Sequence, residues 1–186
     1  MRWTFAGILL AVLLLAACGG GTKTYTKDDL ASLVLEASDA PAGTQVNPKN
    51  AGVRFLEREG GNEEFFALLR PFGFVADAGS EFYGPKDQIA YAESLAFLFN
   101  DRDGASKALA ALHRAVPQIG QGVKDVAPPK LGEESFGVSG VFGPKSPPGY
   151  FYFWRVRNVV LSFTMSGDPA AVTSDSVRSY AEKLEH

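Results

Sequence analysis

The sequence predicts an α+β domain, an antiparallel β-sheet packed with about three to four helices. Tyr150 to Val156 and Val159 to Met165 alternate on either side of Arg157-Asn158, the pattern of a β-hairpin. Ala105, Ala108, Leu109, Leu112 and Val116 recur at i, i+3, i+4, i+7 and i+11, which is one apolar face of a helix. Aromatic residues at 12%, with 20 glycines and 11 prolines, favour strands broken by frequent turns over a helical bundle.

The chain begins with a basic residue, Arg2, an apolar run from Phe5 to Ala17 and then its only cysteine, Cys18. That is the layout of a secretory signal, and at roughly 13 residues the run is shorter than the about 20 needed to span a bilayer. Leu15-Ala16-Ala17-Cys18 resembles the lipobox of bacterial lipoproteins. The resemblance implies a diacylglyceryl group on the Cys18 thiol and cleavage just before it. Residues 1–17 are then a signal peptide, 18–26 a lipidated tether, and 27–186 a single extracytoplasmic domain. Two or more acyl chains hold a protein firmly on a membrane. The tether is short and rich in Gly and Thr, with a span of roughly 15 Å, so the body sits close to the lipid.

Thr26 and Asp29 form a capping-box pattern, and Leu30, Leu33 and Val34 give the short helix behind them an apolar face. Ser38 to Gly43, with Pro41, ends it. Val53 to Glu59 reads as a strand. Asn62 with Glu63 and Glu64 starts a helix containing Phe65, Phe66, Leu68 and Leu69, which Pro71 closes. Val75 to Tyr83 and Gln88 to Phe99 read as paired strands around Gly84-Pro85-Lys86-Asp87. The second strand has a large face (Ile89, Tyr91, Leu95, Phe97, Phe99) and an alanine-rich face (Ala90, Ala92, Ser94, Ala96, Leu98) that invites a closely packed helix. Asn100 or Asp101 caps the next helix, and Pro117 is expected to stop it.

Gln118 to Leu131, rich in Gly, Pro and Lys, reads as a long loop, and Glu134 to Phe142 as a strand. With a two-residue turn, the hairpin pairs Val156 with Val159, Trp154 with Leu161, Tyr152 with Phe163 and Tyr150 with Met165 on a core face. The other face carries Phe151, Phe153 and Arg155 against Thr164, Ser162 and Val160, and is either covered or open to a ligand. Thr173 and Asp175 begin a last helix with Val177, Tyr180, Ala181 and Leu184 on one side.

A net charge of −3 without a Lys or Arg cluster argues against nucleic acid as a partner. With Cys18 acylated no thiol remains for a disulfide. The two histidines, His113 and His186, are too few for a histidine metal cluster. Asp101-Arg102-Asp103-Gly104 lacks the flanking ligands of a calcium loop, since Phe99 and Ala110 stand where oxygen donors are needed. Gly137-Val138-Ser139-Gly140 lacks the spacing of a nucleophile elbow. Glu133 and Glu134 are expected to point to opposite faces as solvated acids. Glu93 interrupts the large face of its strand and, if buried, needs a partner such as Arg155. Phe151 and Phe153, with Arg155 and Glu93, are the candidate ligand-binding residues; no cofactor and no catalytic group is expected.

From Ser38 onward the chain is similar to bacterial envelope lipoproteins and to the PknH-type extracellular sensor domains of actinobacterial kinases. The likeness is carried by Ser38-Asp39-Ala40-Pro41-Ala42-Gly43, by Phe97-Leu98-Phe99-Asn100-Asp101 before an Ala-rich helix, by Leu131-Gly132-Glu133-Glu134-Ser135, and by Arg155-Val156-Arg157-Asn158-Val159-Val160. It implies an antiparallel sheet packed with helices and a ligand-sensing role. The chain departs from that group in lacking disulfides and in placing Arg157 where a turn glycine is common, which favours a longer loop because positive φ is costly for Arg. The functional expectation is a non-enzymatic, membrane-anchored binding or sensing module for a small ligand, held through the lipid on Cys18. The alternative is a structural or assembly partner of another envelope protein.

Overall fold

The computed structural model describes residues 24–46, 63–143 and 145–184; Cys18 with the rest of the leader, the strand read from Val53 to Glu59, Asn62 and His186 lie outside them. Among the described residues one antiparallel sheet has the order β1-β2-β3-β7-β6-β5-β4. The strands are β1 (Gln45–Val46), β2 (Phe74–Tyr83), β3 (Ile89–Phe99), β4 (Gln121–Val126), β5 (Glu134–Val141), β6 (Gly149–Val156) and β7 (Val159–Gly167). The helices are α1 (Glu63–Leu69), α2 (Arg102–Ile119) and α3 (Ser174–Ala181), with a 3-10 helix over Lys27–Leu33. The α+β class read from the sequence is the one observed.

Helices cover both faces of the sheet. The 3-10 helix and α3 close one side, where Leu30 and Leu33 pack with Ala92 and Ala96 of β3, and Val177 and Ala181 join Trp154 and Phe163. The alanine face of β3 is small so that this layer can approach it. On the other side α1 and α2 bring Phe66, Leu69, Ala108 and Leu112 onto Phe97, Phe99 and Phe153. The middle strand β7 lies between the two layers and all nine of its residues are buried.

Asp101 caps α2, its Oδ1 accepting the Gly104 N–H at 2.7 Å. Pro117 does not stop this helix, which runs on to Ile119. Pro117 costs the helix one ladder bond, but it stands in the last turn with only two helical residues after it, so little helix is disturbed. The stretch expected as a loop from Gln118 to Leu131 also contains β4. Among the described residues that strand is at the sheet edge and pairs only with β5; four of its six residues are exposed, so its sequence shows no apolar alternation. Lys124 and Asp125 on such an edge discourage pairing with other chains.

The β6–β7 hairpin has the expected register, from Val156 opposite Val159 to Tyr150 opposite Met165. Its turn has two residues rather than the longer loop that Arg157 suggested, and Arg157 takes φ 56°. Neighbours hold it there. The Arg157 N–H donates to Glu133 Oε1 at 3.1 Å, and its carbonyl accepts Arg155 Nη1 at 3.0 Å. Its guanidinium lies 5.4 Å from the centre of the Tyr25 ring. Asn158, 3% exposed, donates through Nδ2 to the carbonyls of Tyr25 and Phe99, both at 3.0 Å, and accepts the Tyr25 N–H at 2.8 Å.

Tyr25 and Thr26, assigned by sequence to the tether, are therefore fixed to the hairpin end of the sheet. Thr26 completes the expected capping box with Asp29, whose Oδ2 accepts both the Thr26 N–H and hydroxyl at 2.8 Å. Asn158→Ala deletes three side-chain hydrogen bonds and is expected to cost about 2 kcal/mol, given roughly 0.5–1.5 kcal/mol for each. Chemical denaturation measures the loss, and limited proteolysis should cut next to Tyr25 faster. Unchanged values in both assays would show that this clamp carries nothing.

Candidate functional site

Phe151, Phe153 and Arg155 alternate along β6 and share the face that α1 and α2 approach, yet they end in three different environments. At about 3.3 Å of rise per residue, Phe151 and Arg155 are some 13 Å apart along the strand. Phe153 is 6% exposed and stacks on Phe136 at 4.7 Å, beneath α2. Arg155, 3% exposed, lies at the hairpin end in an ion cluster. Phe151 lies towards the opposite end of the sheet, half-buried against Phe142 at 4.0 Å.

Arg155 does not meet Glu93. Its Nη1 contacts Glu133 Oε2 at 2.7 Å and its Nη2 contacts Glu134 Oε1 at 2.8 Å. The sheet register puts Glu134 directly opposite Arg155, while Gly132, at φ 58°, turns the chain so that the Glu133 N–H reaches the Arg155 carbonyl at 2.8 Å. A Cβ on Gly132 would come within 2.3 Å of that carbonyl oxygen, so no other residue fits. The two glutamates thus converge on one cation instead of standing apart as solvated acids. Arg102 also pairs with Glu133, and the Ser106 hydroxyl donates to Glu134 Oε2 at 2.8 Å, tying α2 to the cluster.

Burial by itself would raise the Glu133 carboxyl, but the Arg157 N–H and the guanidinium groups of Arg155 and Arg102 outweigh it and hold it below the ordinary range. Glu134 is held low first by its hydrogen bond from Arg155, against opposing burial, and then by Ser106. Both terminal nitrogens of Arg155 are thus held by glutamates at the hairpin end of the sheet.

The far end of the same face is built differently. Cross-strand registers line up Glu81, Glu93, Thr164 and Phe151 in one row over β2, β3, β7 and β6. The next row is Tyr83, Tyr91, Ser166 and Gly149. Above these rows a cleft of about 430 Å³ is walled by Tyr83, Tyr91, Phe142 and Phe151, with Thr164 and Ser166 as its floor and residues 145–147 as its rim.

The Tyr83 and Tyr91 rings meet edge to face at 5.3 Å, and the Tyr83 hydroxyl donates to Glu81 Oε2 at 3.2 Å. Burial, with the nearby charges of Glu93 and Glu81 adding to it, pushes the Tyr91 phenol far above its usual range. Tyr91 therefore stays a hydrogen-bond donor at any physiological pH. Flat aromatic walls with hydroxyls and carboxylates at their edges suit a small ligand that has both an apolar face and polar donors.

The fold has a solved counterpart. The extracellular domain of PknH from Mycobacterium tuberculosis superposes with a TM-score of 0.61 at 12% identity, over 88% of this chain and 98% of that one. No family model and no curated protein matches the chain. The likeness supports the PknH-type fold read from the four short motifs.

Of the four ligand-binding candidates, Phe151 lines the cleft and Glu93 stands in the row beside it, whereas Phe153 and Arg155 serve core and hairpin. Sequence reasoning missed Tyr83, Tyr91, Thr164 and Ser166. The available signal was Tyr91, two residues before Glu93 on the same face. Among the described residues no three His, Cys, Asp or Glu side chains are placed to share a metal ion, and no helix is long and apolar enough to cross a membrane. His113 stacks on Phe136 at 4.4 Å.

Proposed function

We propose that the protein is a lipid-anchored, extracytoplasmic, non-enzymatic module that binds or senses a small ligand in the aromatic cleft between β2, β3, β7 and β6. The observation that carries this reading is the cleft itself, where four aromatic rings surround buried hydroxyls on a sheet face that is otherwise packed under α1 and α2. A wall of that composition binds without needing a reactive group.

The position of the cleft supports the same reading. The N-terminal chain joins the sheet at Asn158, while Ser166 lies eight residues further along β7, about 26 Å away. With the anchor at Cys18, the cleft opens at the end of the domain remote from its attachment, where it can sample what diffuses outside the membrane. The likeness to an extracellular domain fits this side of the membrane.

Native mass spectrometry of the full chain, extracted in mild detergent from its own membrane, tests the proposal. A small-molecule adduct is expected on the wild type, and its occupancy should fall at least tenfold in Phe151→Ala and in Tyr91→Ala. A wild type without an adduct, or one whose adduct is indifferent to both substitutions, overturns it.

A further inference from the structure

Resting on the reading of the aromatic cleft as a binding site, we infer that its ligand is a saccharide. A pyranose ring would lie with one face on the tyrosine wall and its hydroxyl edge on the floor of the cleft.

The floor makes the first demand. Thr164 and Ser166 are two residues apart on β7, so their side chains share one face of the sheet at a spacing of roughly 7 Å. They are 4% and 9% exposed. Among the described residues neither side-chain hydroxyl has a hydrogen-bond partner. Both nevertheless border the cleft and, unlike the Ser80 hydroxyl, are not sealed. Buried hydroxyls are almost always satisfied, so this pair calls for a partner that enters through the cleft. Gly149 stands opposite Ser166, and a Cβ there would lie 2.7 Å from the Ser166 Cβ. The absent side chain keeps the floor open at that point.

The floor and the walls together select the ligand. A hydroxyl both donates and accepts, so two in a line match the hydroxyls on the edge of a sugar without calling for a charge. A hydrocarbon chain would cover the rings and leave both hydroxyls unpaired. A flat heterocycle stacks best on parallel rings, whereas Tyr83 and Tyr91 are inclined at 63° and Phe142 and Phe151 at 52°. A chair-shaped ring, with C–H groups on its faces and hydroxyls round its edge, meets both the tilted rings and the floor. The cleft, at about 430 Å³, has room for about one or two such rings. Ordered water on Thr164 and Ser166 is the rival occupant, and it would leave the four aromatic rings without a role.

Saturation-transfer NMR on the full chain, held in a detergent without a sugar headgroup, tests the class. The probes are methyl glucopyranoside, methyl galactopyranoside, methyl mannopyranoside and cellobiose at millimolar concentration. At least one is expected to bind, with saturation strongest on the C–H groups of one ring face. Its affinity should fall about tenfold in Thr164→Val and in Ser166→Ala, since each removes one hydrogen bond to the sugar. Both variants should melt no lower than the wild type, because the hydroxyl each loses has no partner in the protein. Tyr83→Ala should weaken the same sugar at least tenfold. Tyr83→Phe keeps the ring and should recover most of the affinity, because the Tyr83 hydroxyl is already given to Glu81. Native mass spectrometry of the membrane-extracted chain separates the sources: an adduct of disaccharide mass marks a free sugar, and one that also carries acyl chains marks a glycolipid headgroup.

The saccharide class is overturned if none of the four probes binds, or if p-cresol, a flat ring, binds more tightly than every sugar. It is equally overturned if the bound sugar is indifferent to Thr164→Val and Ser166→Ala, which would assign both hydroxyls to water. In each of these cases a native adduct that Phe151→Ala and Tyr91→Ala abolish would keep the cleft as a binding site for another class of molecule. A chain with neither adduct nor sugar binding removes the site together with its ligand.

Discussion

Phe153→Ala is expected to destabilise the domain by about 4 kcal/mol, and Phe151→Ala, two residues away on the same face, by about 1 kcal/mol. The difference follows from what each ring touches. Phe153 is the inner member of a stack that runs outward through Phe136 to His113, at centroid distances of 4.7 and 4.4 Å, and α2 closes over it. Truncation leaves a cavity that the sheet cannot collapse to fill. Phe151 faces the aromatic cleft, so its truncation enlarges a space that solvent already reaches.

In a domain of this size 1 kcal/mol moves the melting temperature by roughly 2–4 °C. Calorimetry should therefore separate the two variants by about 10 °C. Equal melting points would mean that the core and the cleft wall are not distinct, and the assignment of Phe151 to a binding surface would fall with them.

The double variant Glu133→Gln, Glu134→Gln is expected to lose about 3 kcal/mol at neutral pH. The Arg155 side chain is 4% exposed, and removing both negative charges strands its guanidinium in a desolvated position. Arg155→Met should cost less, because its apolar side chain fits the site and the glutamates, 30% and 44% exposed, can turn to water. Each single glutamine variant should cost less than half of the double loss, since either carboxylate can still neutralise the cation.

The pH dependence has a definite sign. Both carboxyls titrate below their ordinary value of 4.5 when folded, so their stabilisation is complete above that value and disappears as pH falls through the depressed one. Urea midpoints of wild type and double variant should lie far apart at pH 7 and converge near pH 3. A gap of the same size at both pH values would show that charge pairing is not its source.

The hairpin register and the α2 stripe were legible because β6, β7 and α2 each bury a full face, and burial writes its period into the sequence. Strand β4 was not, because an edge strand with four exposed residues in six carries no such period. The turn at Arg157 was misjudged for a related reason. The cost of its positive φ is met by Glu133, Arg155, Tyr25 and Asn158, three of which come from other parts of the turn's surroundings than its own two residues.

The site was half legible. Glu93 and Phe151 stood out as a carboxylate and an aromatic ring that broke the pattern of their strands, but their shared end of the sheet depends on the β3–β7 and β6–β7 registers together. The Arg155 partners depended likewise on the β5–β6 pairing and on the backbone at Gly132, neither of which local pattern specifies.

The grip of Asn158 on Tyr25 has a mechanical consequence. A tug on the N-terminus enters the domain through the two hydrogen bonds between this one side chain and the Tyr25 backbone, and so arrives beside the first residue of the innermost strand. Two bonds at a single residue peel apart under far less tension than seven strands sheared together. Under load this grip is expected to open before the ladder of the sheet does.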